Sequence, residues 1–192
     1  DQHHRLMREA EALPSVVISS QAAGNAVMMG GGYFTPLKGF MNVADAMGTC
    51  EKMRLTDGSF FPVPVMCLLE DVAAIRGASR IALCDPNMDG HPVLAVMEVE
   101  TIEEVSDEQM AFMTEKVYCT SDSEHPGVAT FNSQGRFAVS GAIQVLHFSY
   151  FQDDFPDTFR TAVEIRHEIA ERGSQRVVAF QTRNPMHLAH EE

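Results

Sequence analysis

Apolar positions in this chain fall into many short runs, separated by turn residues, over roughly its first three quarters. Ser15-Val16-Val17-Ile18-Ser19 is rich in β-branched residues and predicts a strand. Gly30-Gly31-Gly32-Tyr33-Phe34-Thr35-Pro36 predicts a loop, and residues 42–53 a short helix. After the turn signal Asp57-Gly58 comes an apolar run over 61–69, which Pro62 and Pro64 confine to a sheet edge or bulge. Residues 80–84 and 93–99 are two further apolar runs, and Asn87-Met88-Asp89-Gly90 between them is a hairpin signal. Ser106-Asp107-Glu108-Gln109 fits a capping box, opening a helix that reaches about residue 115. Strands are then expected around 117–120 and over 137–147, giving a compact, barrel-like or mixed β domain.

The texture changes at Phe151-Gln152-Asp153-Asp154-Phe155-Pro156, an acidic stretch containing proline. This predicts a boundary, with one domain over 1–152 and another opening at 153–192. Phe159, Ala162, Ile165 and Ile169 then recur at helical spacing, with Glu168 and Arg172 as an i,i+4 pair outside the stripe. Asp157 is placed to cap this helix and Gly173 to end it. Arg176-Val177-Val178-Ala179-Phe180 reads as a buried strand, and a new helix is expected from Met186. Helix, strand, polar loop and helix is the opening of an α/β unit with a parallel sheet.

Bulk properties narrow the picture. The chain has 192 residues, 45% hydrophobic and 21% charged, as expected of a globular protein that builds a core without disulfides. No apolar run approaches membrane-spanning length, and Asp1-Gln2-His3-His4 has no signal-peptide character. The net charge of -13 opposes nucleic acid and anionic membranes as partners, although a local pocket of Arg, His and amide groups can still hold a small anion. Cys50, Cys67, Cys84 and Cys119 include no C-x-x-C pair and are expected to be reduced thiols in a cytoplasmic protein.

Chemistry concentrates in the tail, Gln181-Thr182-Arg183-Asn184-Pro185-Met186-His187-Leu188-Ala189-His190-Glu191-Glu192. A loop after a parallel strand lies at the ligand crevice of an open α/β sheet. Asn184 suits an N-cap and Pro185 the first helical position, which puts His187 and His190 on one face at the positive helix end. Arg183 offers a planar fork to a tetrahedral oxyanion, and Gln181 and Asn184 add neutral donors. Such a set fits phosphoryl or nucleotidyl transfer, where catalysis is mainly positioning and charge stabilisation. Two other readings stay open on spacing alone. One is a capped helix with structural histidines. The other is metal ligation, disfavoured by the order H-x-x-H-E and by Arg183 beside it, so no protein-bound metal is expected.

The literal string Gln181-Thr182-Arg183-Asn184-Pro185-Met186-His187, followed by Ala189-His190-Glu191, resembles the signature of ATP sulfurylases. Three further blocks agree in order. They are Gly32-Tyr33-Phe34-Thr35-Pro36-Leu37-Lys38-Gly39-Phe40-Met41, the stretches 53–58 and 61–65 that follow it, and Glu124-His125-Pro126-Gly127-Val128, which resembles a loop of the family. The wording is most similar to the enzymes of bacterial dissimilatory sulfur metabolism. The resemblance implies a PUA-like β-rich domain followed by the start of an α/β, Rossmann-like nucleotidyltransferase domain. It also implies the reversible reaction of sulfate and ATP to adenosine 5′-phosphosulfate and pyrophosphate, with Mg²⁺ carried on the nucleotide, and a homo-oligomer at full length.

Carried onto this sequence, Gln181 and Arg183 would hold sulfate, with Arg183 as its main charge partner. Gln181, Thr182 and Asn184 would meet the nucleotide, while His187 and His190 would bind its phosphate chain and the departing pyrophosphate. Leu188 stands where many members have Arg, which implies weaker phosphate binding. The later G-R-D and H-A-G motifs of the family are not among these 192 residues, so the chain by itself is expected to be inactive. The same resemblance makes His125 structural, and His147 reads as a partly buried side chain. The alternative from another class is a PUA-like RNA-binding or structural module without catalysis.

Overall fold

The structure, a computed structural model, describes residues 2–182 and Leu188. Its organising element is a nine-residue strand, β7 (Phe137–Val145), against which most other strands are laid. In chain order the strands before it are β1 (Ser15–Val17), β2 (Gly39–Phe40), β3 (Leu68–Leu69), β4 (Arg80–Cys84), β5 (Val93–Glu98) and β6 (Thr101–Glu104). The main path runs β1-β4-β5-β7-β2, with β3 and β6 both paired to the start of β7. Among the described residues only β1 and β4 pair in parallel; the other ladders are antiparallel. The sheet curls into a half-barrel around β7.

One position explains how β7 serves four neighbours. Gly141 has φ +146, and a Cβ there would lie 1.9 Å from the Glu98 carbonyl oxygen. Here β5 hands over to β6: Met97 still pairs with Ile143, while Thr101 pairs with Ser140. Across the strand, a Cβ on Gly39 would sit 1.9 Å from the Gly141 oxygen. The Gly39-Phe40-Met41 block thus keeps a glycine where two backbones nearly touch.

Helices cover this sheet. α1 (Gln2–Glu11) sets Leu6, Met7 and Ala10 against Val96 and Leu146. α2 (Ser20–Gly30) buries Ala22, Ala23, Ala26 and Val27, small side chains that bring the helix axis close to the strands. Its N-cap is Ser19, whose hydroxyl accepts from the Ala22 amide at 3.1 Å. α3 (Val43–Lys52) begins at the Asn42 cap and ends at Met53 in the left-handed region, within a residue of the predicted limits. α4 (Asp107–Tyr118) carries the predicted capping box, with Gln109 N donating to Ser106 Oγ and Ser106 N donating to Gln109 Oε1. Ile81, Leu83, Leu94, Met97, Val139 and Met113 are fully buried between these layers.

Three expectations need correction. Residues 61–69 are not one strand: only Leu68–Leu69 joins the ladder, because Pro62 and Pro64 have no amide to donate. Residues 117–118 close α4 instead of starting a strand, since Met110, Met113 and Thr114 bury one helical face and hold the helix to its end. The Glu124-His125-Pro126-Gly127 stretch opens a helix, α5 (Pro126–Asn132), where a loop was expected. Its cap is the His125 ring, whose Nδ1 accepts from the Gly127 and Val128 amides at 3.2 and 3.4 Å. The predicted hairpin over β4 and β5 forms, with Asp85 buried at its turn and its Oδ1 accepting from Asn87 N at 2.9 Å.

Candidate functional site

The tail that carries the candidate chemistry grows from a segment docked on the Gly-rich loop after α2. The Ala162 amide donates to the Gly31 carbonyl at 2.8 Å, and the Tyr33 hydroxyl donates to the Arg160 carbonyl. Gly32, at φ +80, leaves just enough room, since a Cβ there would meet that of Ala162 at 3.4 Å. Beneath this junction, α6 (Phe151–Asp154) contributes to an aromatic group in which Phe159 stacks 5.3 Å from Phe148 and 6.1 Å from Phe151. The block that opens at Gly32 therefore has a mechanical role through Tyr33, beside the Gly31 carbonyl that precedes it. Gly31 and Tyr33 together hold residues 160–162.

From this junction α7 (Ala162–Glu171) begins. Its cap is Thr161, not Asp157, and Thr161 with Glu164 forms a second capping box. Glu164 Oε2 accepts from the Thr161 amide at 2.7 Å and from its hydroxyl at 2.8 Å, and these bonds hold the Glu164 carboxyl below its ordinary range. The T-x-x-E spacing was legible in the sequence, but Asp157 lies nearer the acidic boundary and drew the assignment. Ala162, Ile165 and Ile169 are half-buried while Val163, Arg166 and His167 are exposed, so the predicted stripe faces inward. Glu168 pairs mainly with Arg160, at 2.7 Å, and Arg172 stands at 3.9 Å. The hydrogen bond to Glu168 and its charge raise the Arg160 pKa further and keep that guanidinium charged.

After Gly173, at φ +62 as a helix-ending glycine, residues 175–182 form neither helix nor strand. The buried strand expected over 176–180 is not formed. Val178 is 93% exposed and Phe180 61%, because no described strand lies beside them to cover the run. Gln181 is exposed, Thr182 half-buried, and Leu188 exposed. Arg183, Asn184, His187 and His190 lie outside the described residues, as does the helix expected from Met186. The structure thus shows the mount of the candidate site and its first two residues.

Elsewhere, the remaining singled-out residues are structural. The His125 ring lies 5.3 Å from that of Tyr118 besides capping α5. His147 Nδ1 accepts from the Ser149 amide at 3.0 Å. Cys67 is wholly buried, which pushes its thiol up to about 12, and burial likewise takes Cys50 to about 11. Cys119 is exposed. Among the described residues no three His, Cys, Asp or Glu side chains converge on a metal position. No described helix is long and apolar enough to cross a membrane.

Comparison with known proteins agrees with this architecture in two steps. Residues 1–148 match the family model described as a PUA-like domain, and by that match the chain belongs to the PUA-like domain family. Residues 156–192 match the model described as ATP-sulfurylase. Over all 192 residues the chain is 73% identical to a sulfate adenylyltransferase of Allochromatium vinosum and 70% identical to one of the Riftia pachyptila sulfur-oxidizing endosymbiont. It is 37% identical over 197 aligned positions to the sulfate adenylyltransferase of Desulfovibrio desulfuricans, covering 96% of this chain. The chain spans about half the length of these relatives: 48%, 44% and 46% respectively. Among solved structures it resembles a chain described as a hexameric APS kinase from Thiobacillus denitrificans. The TM-score is 0.72 and the identity 26%, with 99% of this chain and 32% of that chain covered. The likeness to ATP sulfurylases expected from the sequence therefore holds over the whole chain.

Proposed function

We propose that the protein carrying this chain is a sulfate adenylyltransferase, which joins sulfate to the AMP moiety of ATP and releases pyrophosphate. The observation that carries the reading is the 73% identity to such a protein across every residue of the chain, tail included. In the proposed reaction a sulfate oxygen attacks the α-phosphorus of the nucleotide, the bond to the β-phosphate oxygen breaks, and pyrophosphate departs. Mg²⁺ enters with ATP as part of the substrate.

Arg183 and Gln181 hold sulfate. Arg183 is the better suited because its fork matches two oxyanion positions at once. Gln181, Thr182 and Asn184 engage the nucleotide, and His187 and His190 donate to the phosphate chain as charge moves onto the leaving group. Each is a donor aimed at an anion, so losing one is worth on the order of 10²–10³ in rate. The domain division falls near residue 152, the protein is cytoplasmic, and the complete enzyme is a homo-oligomer. With a net charge of -13, no RNA partner is proposed for the PUA-like domain. Sulfate-dependent release of pyrophosphate from MgATP by the complete protein tests the reading. A folded protein that releases none, or releases it equally without sulfate, contradicts it.

A further inference from the structure

A partly enclosed cavity of about 230 Å³ lies between α2, α4, α5 and the proline-containing segment before β3, and no described residue after Gln134 lines it. The rings of Phe34, Tyr118 and Phe131 form walls, with Met66 and Met113 between them. In a chain that is 21% charged, not one charged side chain among the described residues lines this space. Its polar side chains are the carboxamides of Gln21, Asn25 and Gln134 and the Tyr118 hydroxyl.

These carboxamides are not equivalent. Gln134 is spent within the protein: its Oε1 accepts from Ser19 Oγ at 3.1 Å, and its Nε2 donates to Gln21 Oε1 at 2.8 Å and to the Thr130 carbonyl at 3.5 Å. That contact fixes the oxygen of Gln21 and leaves its amide hydrogens for another acceptor. Asn25 lies one turn further along α2, on the same face, and its side chain makes no hydrogen bond to another described residue. Donor and acceptor groups thus stand side by side over aromatic walls. The Tyr118 wall is itself fixed. It packs where a Cβ on Gly127 would come within 2.5 Å of the ring, and the His125 ring lies 5.3 Å away.

We propose that this cavity binds an uncharged purine, as free base or nucleoside. The size is right: an apolar cavity of about 150 Å³ accommodates a single benzene ring, so about 230 Å³ takes a bicyclic one. A flat heteroaromatic ring stacks on Phe, Tyr and Met surfaces, and a carboxamide pairs with the alternating donor and acceptor edge of a purine. Phosphate groups find no cation among the described residues of the lining and meet a chain of charge -13. None of Gln181, Thr182 and Leu188 lines the cavity, and the proposal does not rest on the reaction proposed for the tail.

The test is titration of the full chain with adenine, adenosine, guanosine, AMP and a short single-stranded RNA, followed by the NMR signals of Tyr118 and Phe131 and by calorimetry. Saturable binding of a base or nucleoside is expected, with AMP weaker than adenosine. Asn25→Ala should weaken binding by a factor of about 5. Val117→Trp, at the rim, should block it, and Arg183→Ala should leave it unchanged. Absence of saturable binding at millimolar concentrations overturns the proposal. So does affinity that rises with the number of phosphates, binding of RNA alone, or indifference to Asn25→Ala. If Val117→Trp does not fold, the Asn25→Ala ratio and the ring shifts decide.

Discussion

Replacing Gly39 by alanine tests how the half-barrel closes on its central strand. Gly39 adopts an ordinary backbone conformation for any residue, so the change adds a methyl group and little else. That methyl would stand 1.9 Å from the Gly141 oxygen and 2.7 Å from the Ala142 Cα. Both are backbone atoms of β7, which is held on its other edge by β5 and β6 and cannot retreat. β2 must move instead, by more than an ångström, breaking its pairing with β7 and the bond from Ile143 N to the Lys38 carbonyl at 2.9 Å. Overpacking costs about 1–3 kcal/mol and each lost backbone bond about 1 kcal/mol, so the sum is roughly 3–5 kcal/mol. For a chain of this size that lowers Tm by roughly 6–20 °C. Gly24→Ala is the matched control: nothing lies within 4 Å of its Cβ position inside α2, and alanine there should stabilise by about 0.5–1 kcal/mol. Thermal and urea denaturation of both variants would decide. A Gly39→Ala protein melting within about 2 °C of the parent would refute the steric argument.

Other expectations follow from the same structure. Thiol labelling at neutral pH should modify Cys119 first and spare Cys67 until unfolding, because burial holds Cys67 at about 12 and Cys50 at about 11; early modification of Cys67 would contradict the packing. Thr161→Ala should loosen α7 by about 1 kcal/mol, read as faster amide exchange at residues 162–165. The folded Glu164 carboxyl lies below its ordinary value of 4.5, so its contribution is complete above that pH and is lost as pH falls through the folded value. Circular dichroism of α7-containing chains against Glu164→Gln, compared across that acid range, should show the difference vanish. Tyr33→Phe should raise exchange at the Ala162 amide while leaving that of β7 unchanged, since only the link to the Arg160 carbonyl is lost. In the complete protein Leu188→Arg should tighten nucleotide binding; an unchanged affinity would show that position 188 faces away from the phosphates.

Much of the β domain was legible because its signals are local. The Asn42 cap, the Ser106 capping box and the 80–98 hairpin each declare themselves within a few residues, and each formed. α2 was not legible: Ser20-Gln21-Ala22-Ala23-Gly24-Asn25 has little hydrophobic contrast, and the helix is defined by small residues fitting a sheet met later in the chain. α5 hid behind a histidine cap, which does the work usually given to Ser or Asp. Residues 176–180 show the opposite error. Their apolar, β-branched run reads as a buried strand, yet burial is a property of the neighbours, and no described strand flanks them. Of the candidate site, the sequence offers the residue types from Gln181 to His190, most of which lie outside the described residues. Its mount was not legible, because the Tyr33 and Gly31 contacts to residues 160–162 join positions more than a hundred residues apart.

The measurement that bears most directly on the account is ATP formation from adenosine 5′-phosphosulfate and pyrophosphate by the complete protein, compared with Arg183→Ala and Arg183→Lys. If Arg183 is the charge clamp on sulfate, the alanine variant should lose on the order of 10²–10³ in rate while still binding nucleotide, and lysine, which lacks the planar fork, should recover only part of it. A parent protein without activity, or an Arg183→Ala variant as active as the parent, would contradict the assignment.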